Sequence, residues 1–363
     1  MPTLFDSIRL GAIAAPNRIL MAPLTRGRSV AGHVPITSLK AEHYRQRAAA
    51  GLIIAEATGI SQEGLGWPSA PGIWSDAQVE AWKPVTEAVH EAGGRIMLQL
   101  WHMGRLVHPD FLGGEPPVSS SATTAPGLAH TEAGKQPYSQ ARALRLDEIP
   151  RVIDDYVRAA RNALSAGFDG VQVHAANGYL IDQFLRDNSN FRDDDYGGAI
   201  ANRTRLLTEV TRAVADAVGA DRTAVRLSPN GDTQGADDSN PQALFTAAAA
   251  GLQDIGIAFL ELREQKPDST FGASEVPRVS PAIRSVFTNP LVLNQEYDGE
   301  NYAEDLTSGL ADAISYGRPF ISNPDLVARL RDGATFAQNN FKTWYSPGAE
   351  GYTDYPALVA EPA

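Results

Sequence analysis

The chain of 363 residues contains no cysteine. This absence excludes disulfide bridges, thiolate metal sites, iron–sulfur clusters and cysteine nucleophiles together. It also fits a reducing compartment, so we expect a cytoplasmic protein. Long apolar runs are missing as well, since none approaches the roughly 20 residues that span a bilayer. The first residues, MPTLFDSIRLGAIAAPNRILMAP, lack the basic start and unbroken apolar core of a signal peptide.

Positive charge is scarce relative to negative charge. The 31 Lys and Arg residues face 43 Asp and Glu residues, which gives a formal net charge of −12. Such a chain repels nucleic-acid phosphates and anionic membrane surfaces, and no local basic run compensates. We therefore expect a small-molecule partner, with no nucleic acid and no membrane. Hydrophobic residues make up 43% of the chain, which is enough for a sizeable core.

Eight apolar or β-branched runs recur along the chain, and each is followed by turn residues and then a helical pattern. They occupy 18–26, 52–61, 95–105, 170–178, 223–229, 257–264, 290–297 and 311–322. Amphipathic helices are predicted between them, for example at 76–93, 146–167 and 202–219. Strands that alternate with helices pair in parallel, and eight such units indicate a closed (β/α)₈ TIM barrel. No G-x-G-x-x-G follows the first strand, which argues against a dinucleotide-binding fold.

Two segments depart from this alternation. Residues 106–145 are rich in Pro, Ser, Thr and Gly and are too long for an ordinary connection. We predict that they form an excursion after strand 3 that covers the barrel mouth. The aromatic, turn-rich tail at 339–363 is predicted to pack on the barrel. We interpret 1–363 as one domain.

Polar residues cluster at the predicted carboxyl ends of the strands, where barrels of this kind build their active sites. They are Thr25, Arg26, Gln99, Trp101, His102, Arg105, His174, Asn177, Tyr179, Arg226, Glu261, Arg263 and Arg318. Only Glu56 and Glu261 could provide the paired carboxylates of a glycoside hydrolase. No strand end offers a lysine for Schiff-base chemistry. The pattern predicts a site that holds an electron-rich group with neutral and cationic donors.

The stretch YGRPFISNPDLVARL predicts a phosphate site after strand 8. It places Gly317 and Arg318 at the strand exit, with Asn323 as a helix N-cap and Pro324 as the first helical residue. Free backbone amides, a helix N-terminus and an arginine together form the phosphate cradle common in these barrels. The alternative is that Gly-Arg-Pro only turns the chain.

Seven motifs give the chain a family resemblance. They are MAPLTRGRS (21–29), LQLWHMGR (98–105), HAANGYLIDQFL (174–185), YGGAIANRTRLLTEV (196–210), VRLSP (225–229), GRPFISNPDLVARL (317–330) and AEGYTDYP (349–356). With these motifs in this order, the chain resembles the Old Yellow Enzyme family of FMN-dependent ene-reductases over nearly its whole length. Because the chain has Thr25 and no cysteine, it resembles the threonine-type branch of the family.

The resemblance implies that FMN binds tightly but non-covalently across the barrel mouth. The implied cofactor-binding residues are Pro23, Thr25, Ala57, Gln99, Arg226, Gln295, Gly317 and Arg318. Thr25 would bond the flavin C4 carbonyl, and Gln99 would hold the pyrimidine edge. Arg226 would lie near N1 and C2, where negative charge accumulates on reduction. Alternatively, Arg226 could form an ion pair inside the barrel with Glu56 or Glu261.

The resemblance also assigns the catalytic residues. His174 and Asn177 would donate hydrogen bonds to the oxygen of an activated alkene, and Tyr179 would protonate its α-carbon. The alternative for all three is a polar turn whose hydrogen bonds are internally satisfied. Trp67, Trp101 and Tyr352 would line the substrate cavity, although Trp101 could be a core residue. His102 is expected to be structural.

The implied function is an NAD(P)H-dependent FMN ene-reductase that acts on α,β-unsaturated carbonyl or nitro compounds, as a monomer or homodimer. Two alternatives stay open, which are reductive denitration of nitrate esters and a flavin-free barrel that binds a phosphorylated metabolite. Gln295-Glu296 stands where many relatives have a glycine pair, so an acid lies beside the expected phosphate. The segment 264–278 matches no family pattern, and we expect it to shape specificity.

Overall fold

The computed structural model describes residues 1–269 and 272–358, and eight parallel strands form a closed barrel at its centre. Each strand pairs with the next, and the last pairs with the first. The strands are β1 (Ile19–Met21), β2 (Leu52–Gly59), β3 (Ile96–Trp101), β4 (Gly170–His174), β5 (Thr223–Leu227), β6 (Phe259–Arg263), β7 (Leu291–Asn294) and β8 (Ala313–Tyr316). The predicted (β/α)₈ barrel is confirmed.

The strands are apolar because both of their faces are covered, one by the barrel interior and one by helices. Every residue of β2 and β3 is buried, as expected for parallel strands between two layers. Most observed strands are shorter than the predicted runs, and the residues beyond them form loops. The run 18–26, for example, leaves the sheet after Met21. These loops carry some of the polar residues of the barrel mouth, such as Thr25 and Asn177, and the strand ends carry others, such as His174 and Arg263.

The helices surround the barrel, including those predicted at 76–93 and 146–167. They are α1 (Thr37–Arg45), α2 (Asp76–Glu91), α3 (Ile149–Ser165), α4 (Leu180–Leu185), α5 (Ile200–Arg203), α6 (Arg205–Val218), α7 (Pro241–Ile255), α8 (Ser280–Val286), α9 (Ala303–Thr307), α10 (Arg318–Ser322) and α11 (Leu326–Asp332). Single 3₁₀ turns occur at Ala31–His33, Gly104–Leu106, Pro109–Phe111, Ala220–Arg222 and Phe341–Thr343. The pattern predicted at 202–219 is divided at Thr204 into α5 and α6.

The amino ends of the barrel strands are closed by a hairpin. Its two antiparallel strands, Ile8–Leu10 and Ile13–Ala15, place Leu10 and Ile13 in an apolar cluster with the barrel residue Leu20. Buried apolar contact stabilises this end of the barrel. A second small pair, Ser29–Val30 with Val34–Pro35, follows β1.

The segment between β3 and α3 forms the predicted excursion. Val118–Ser119 pairs in parallel with Arg142–Ala143, and Leu128–Thr131 forms an antiparallel pair with Gly134–Pro137. His130 packs on Trp67, with ring centroids 4.7 Å apart, and Trp67 lines the barrel mouth. The excursion therefore reaches over the mouth.

Two arginines after β1 fix the carboxyl-terminal tail on the barrel. Arg26 donates to the Trp344 and Gly351 carbonyls, at 3.0 and 2.6 Å, and Arg28 donates to the Trp344 carbonyl at 2.6 Å. Up to residue 358 the tail packs on the barrel as predicted, and its last five positions, 359–363, lie outside the described residues. Within the described chain, no helix has the length and apolar character needed to cross a membrane.

Candidate active site

A cavity of about 560 Å³ opens at the carboxyl ends of the strands. Ten of the residues predicted from the sequence line it, at the carboxyl ends of several strands and in the segments that follow them. They are Pro23, Thr25, Trp67, Trp101, Asn177, Tyr179, Arg226, Gln295, Gly317 and Arg318. The barrel thus brings together side chains that are up to 295 positions apart in the sequence, from Pro23 to Arg318.

Asn177 is held by hydrogen bonds at three of its atoms. Its φ of 60° lies in the left-handed region, which asparagine tolerates better than most residues. Its backbone nitrogen donates to Ser228 Oγ at 2.8 Å, and its carbonyl accepts from Gln234 Nε2 at 2.7 Å. Its Oδ1 accepts from Arg263 Nη1 at 3.0 Å. The amide Nδ2 makes no hydrogen bond to any described residue and is available to a molecule in the cavity.

His174 ends β4 and lies directly against Tyr179. The two rings meet edge to face, with centroids 4.9 Å apart. Burial, followed by the positive charges of Arg226 and Arg263, lowers the pKa of His174 well below its usual value. The imidazole is therefore neutral at neutral pH. Its buried Nδ1 has no hydrogen-bond partner among the described residues, and such an atom is costly unless a ligand satisfies it.

Tyr179 precedes α4 and contributes its phenol to the cavity wall. Burial raises the pKa of this phenol, and a hydrogen bond with Gln234 acts in the opposite direction. The hydroxyl therefore stays protonated over the neutral range. The ring of Trp101 contacts the Tyr179 ring edge-on, with centroids 5.0 Å apart. Trp101 belongs to a buried apolar cluster and also lines the cavity, so it is both a core residue and a part of the cavity wall.

A hydrogen-bonded chain of side chains runs through the barrel interior beneath the cavity. Gln99 Nε2 donates to Gln172 Oε1, and Gln172 Nε2 donates to Glu261 Oε2, each at 2.8 Å. Arg226 Nη1 pairs with Glu261 at 3.3 Å, and Arg226 Nη2 donates to Asn294 Oδ1 at 2.8 Å. Arg226 forms the predicted ion pair with Glu261 and also lines the cavity, and its position beside the flavin stays a prediction. Its Nε has no partner in the described part of the chain.

The loops after β7 and β8 are joined by an ion pair. Arg318 Nη2 donates to Glu296 Oε1. The arginine that was predicted to bind the phosphate is therefore paired with the acid that stands beside the expected phosphate position. Gln295 and Glu296 both adopt positive φ, at 122° and 52°. A glycine would adopt these angles without strain, which explains why a glycine pair suits this turn.

The predicted helix start after strand 8 is wrong. α10 begins at Arg318 itself, and α11 begins at Leu326 after the N-cap residue Asp325. Asn323 instead joins two segments, because its Nδ2 donates to the Pro319 carbonyl at 2.8 Å and its Oδ1 accepts from Ala337 N at 2.7 Å. The Pro319 ring occupies the first turn of α10, where a proline is tolerated.

Tyr352, predicted to line the substrate cavity, does not line it. Its ring is fully buried and stacks on His43, with centroids 3.9 Å apart and an interplanar angle of 5°. The Arg28 guanidinium covers the ring at 4.4 Å. Trp344 and Tyr345, from the same tail, line the cavity instead. The sequence showed an aromatic tail, but only the three-dimensional path of the tail decides which ring faces the cavity.

Three further predicted residues lie beside the cavity without lining it. His174 adjoins it through Tyr179, Gln99 belongs to the hydrogen-bonded chain below it, and Ala57 packs in an apolar cluster with Trp101. His102 is fully buried, and its Nδ1 accepts from Gly104 N at 3.1 Å, which agrees with the expected structural position.

The sequence reasoning missed several lining residues. They are Ala22, Leu24, Asp232, Thr233, Gln234, Asn294, Tyr297, Ser315, Pro319, Ile321, Trp344 and Tyr345. Glu296, which was expected beside the phosphate, also lines the cavity, as do Gln265 and Gly272 of the expected specificity segment. The polar, glycine-rich stretch NGDTQGAD (230–237) after β5 was the signal that could have identified the loop of Gln234. Arg26 and Arg263 also line the cavity, although the strand-end pattern gave them no specific role. Of the expected specificity segment 264–278, residues 270 and 271 lie outside the described residues.

Known proteins are similar to this chain over most of its length. Residues 3–336 match the family model described as NADH:flavin oxidoreductase / NADH oxidase family. Among curated proteins, 12-oxophytodienoate reductase 1 of Oryza sativa subsp. japonica is 41% identical, over 98% of this chain and 93% of that protein. Flavin oxidoreductase hxnT of Emericella nidulans is 40% identical, over 97% of each chain.

Solved structures are similar over the same length. An old yellow enzyme homologue from Zymomonas mobilis superposes with a TM-score of 0.97 at 62% identity, over 98% of this chain and 100% of the other. Morphinone reductase in complex with tetrahydroNAD superposes with a TM-score of 0.93 at 43% identity, over 99% of each chain.

Proposed function

The chain belongs to the NADH:flavin oxidoreductase / NADH oxidase family and is an FMN-dependent ene-reductase of the Old Yellow Enzyme type, and from this premise we propose how its side chains divide the reaction. FMN, reduced by a nicotinamide coenzyme, supplies the hydride that the β-carbon of an activated alkene accepts. The protein's task is to bind the reactants, to polarise the substrate and to deliver a proton.

The donors of the cavity suit an electron-rich group such as FMN. The unpartnered Nε of Arg226 offers a cationic donor at the cavity floor, and Glu261 holds the rest of that guanidinium. Thr25 and Gln99 would add neutral donors to the ring, with Pro23 and Ala57 beside it. Arg318, with the backbone of Gln295 and Gly317, would hold the phosphate. Because Thr25 lies in the wall, we also propose the threonine-type branch.

A substrate oxygen would be held by two directed donors, and the observation that carries this proposal is that both are unsatisfied. Among the described residues, the buried Nδ1 of His174 has no hydrogen-bond partner. The Asn177 amide accepts from Arg263 at Oδ1, which leaves Nδ2 available to a molecule in the cavity. Two hydrogen bonds to one carbonyl or nitro oxygen withdraw electrons from the conjugated alkene, and they strengthen as that oxygen becomes negative.

Proton delivery is assigned to Tyr179. Its hydroxyl is protonated at neutral pH, and its ring position is fixed by His174 on one side and Trp101 on another. A phenol held in this way can transfer its proton to a carbanion-like α-carbon. Trp67 and Trp101 would exclude water from the alkene. We propose α,β-unsaturated carbonyl and nitro compounds as the substrate class.

The first experiment is an absorbance titration of the purified protein. We expect oxidised-flavin bands between 300 and 600 nm that bleach with anaerobic NADPH and return with 2-cyclohexenone. A protein that bleaches but is not reoxidised by any enone or nitroalkene would contradict the proposed substrate class.

The oxygen site is tested by replacing both donors. His174→Ala with Asn177→Ala should weaken binding of a phenol, whose phenolate imitates the polarised substrate oxygen, by about 100-fold, or roughly tenfold for each hydrogen bond lost. The measurement is the charge-transfer absorbance of the flavin-loaded protein on titration with 4-chlorophenol. Unchanged binding would assign the two residues to the satisfied polar turn instead.

A further inference from the structure

Arg263, the last residue of β6, connects the two sides of the cavity. Its Nη1 donates to Asn177 Oδ1 and its Nε donates to Gln295 Oε1, each at 3.0 Å. Because side chains two positions apart share one face of a strand, Arg263 lies on the same side of β6 as Glu261. The side chain is buried and lines the cavity.

This contact decides which way the Asn177 amide points. The two ends of an asparagine amide are similar in shape, so hydrogen-bond partners determine its orientation. A guanidinium can only donate, and it therefore selects Oδ1. With the backbone nitrogen and carbonyl of Asn177 bonded to Ser228 and Gln234, the residue cannot easily turn as a whole. Nδ2 is left as the donor toward the substrate.

Arg263 also brings a positive charge beside the oxygen site. Its charge adds to that of Arg226 around His174. Burial and the neighbouring charge of Arg226 lower the pKa of Arg263 to about 10, which still leaves it cationic at neutral pH. In a site with little water, one charge at this range has a large effect on a developing oxyanion.

We propose that Arg263 is a positioning residue for the reaction, which fixes the Asn177 amide with Nδ2 toward the substrate and stabilises, through that amide, the negative charge on the substrate oxygen. The inference rests on the proposed function of Asn177 as an oxygen donor. It adds a residue that acts on the substrate oxygen through Asn177.

The test compares Arg263→Met, which removes charge and donors, with Arg263→Lys, which keeps the charge. In the flavin-loaded protein, Arg263→Met should raise the dissociation constant of 4-chlorophenol about tenfold, the loss expected for one hydrogen bond. It should also raise the apparent pKa of the bound phenol by about one unit. Arg263→Lys should restore the phenol pKa without restoring full affinity. Arg161→Met, at an exposed position of α3, is the matched control and should change neither value.

The outcomes separate this inference from the proposed function. If Asn177→Ala weakens phenol binding and Arg263→Met leaves both the affinity and the phenol pKa unchanged, the role of Arg263 is wrong and that of Asn177 survives. If neither variant affects phenol binding, the oxygen site itself is wrong. Should Arg263→Met fail to retain FMN, Arg263→Gln provides a neutral side chain that can still donate to Gln295. An unchanged phenol pKa in that variant would overturn the electrostatic role.

Discussion

The two sides of the barrel mouth satisfy their polar groups differently. On the substrate side, at the ends of β4 and β6, His174 and Asn177 keep nitrogen atoms without partners among the described residues. On the phosphate side, at the ends of β7 and β8, Arg318 bonds Glu296 within the chain. A buried nitrogen without a partner, such as His174 Nδ1, is rare in folded proteins and indicates a ligand, and the half-buried Asn177 Nδ2 is open to the cavity beside it, whereas an internal ion pair is stable without a ligand. If FMN binds as proposed, the substrate side is preorganised, whereas Arg318 on the phosphate side would exchange Glu296 for the phosphate.

The largest effect is expected from removing the proposed proton donor, Tyr179, on the substrate side. Tyr179→Phe should slow alkene reduction by about 100- to 10,000-fold, the range of a general acid, because no other hydroxyl is assigned to the α-carbon. The rate at which NAD(P)H reduces the enzyme should remain nearly unchanged. Stopped-flow absorbance measures the two half-reactions separately. Equal impairment of both would show that Tyr179 shapes the cavity rather than supplying a proton.

A smaller effect is expected on the phosphate side, where two single changes should act in opposite directions. Arg318→Met should weaken FMN binding by roughly 10- to 100-fold, since hydrogen bonds to charged groups contribute about 1.5–3 kcal/mol. Glu296→Gln should tighten FMN binding a few-fold, because Arg318 no longer has to leave an anionic partner. Flavin fluorescence after reconstitution measures both dissociation constants. If Glu296→Gln weakened FMN binding, the ion pair would be a part of the bound site and the contrast between the two sides would disappear.

The barrel and part of the lining were predictable because both depend on local patterns. Eight apolar runs with helices between them define the strand order, and the carboxyl ends of parallel strands meet at one mouth. Asn177 and Tyr179 could be placed in the cavity because they follow β4 within a few residues. A residue that follows a strand end within a few positions must lie near that end in the folded protein.

The misplaced residues depend on contacts between distant segments. Tyr352 is removed from the cavity by His43 and Arg28, which are more than 300 positions away, and no local pattern contains that information. Arg263 was noticed at the end of strand 6, but its role depends on the orientation of the Asn177 side chain across the barrel. Tertiary packing decides such side-chain orientations, and the order of residues does not.

The smallest predicted effect concerns the cost of burying His174 with an unsatisfied nitrogen. Its pKa is well below 6.5 in the folded protein and returns to about 6.5 on unfolding, so the unfolded state binds a proton first as the pH falls. The contribution of neutral His174 to the free energy of unfolding is therefore fully present above pH 6.5. It decreases as the pH falls below 6.5, by at most about 1.4 kcal/mol per pH unit. His174→Gln should flatten this decline in the free energy of unfolding, measured by urea titration of the flavin-loaded protein between pH 5.5 and 7.5.

His43 is the matched control for this measurement, because it is also buried with a pKa well below its usual value but bonds the Tyr352 carbonyl at 2.9 Å. FMN stabilises each protein according to the ratio of its concentration to its dissociation constant, so that constant is measured for every variant at each pH and the FMN contribution is subtracted. Both His174→Gln and His43→Gln should flatten the decline below pH 6.5, since burial is the main cause of the low pKa at both positions. Only His174→Gln should also change the affinity for 4-chlorophenol, because only His174 adjoins the cavity through Tyr179. If His43→Gln weakened phenol binding as much, the effect would come from general loosening of the barrel, and the unsatisfied nitrogen of His174 would not be reserved for a ligand.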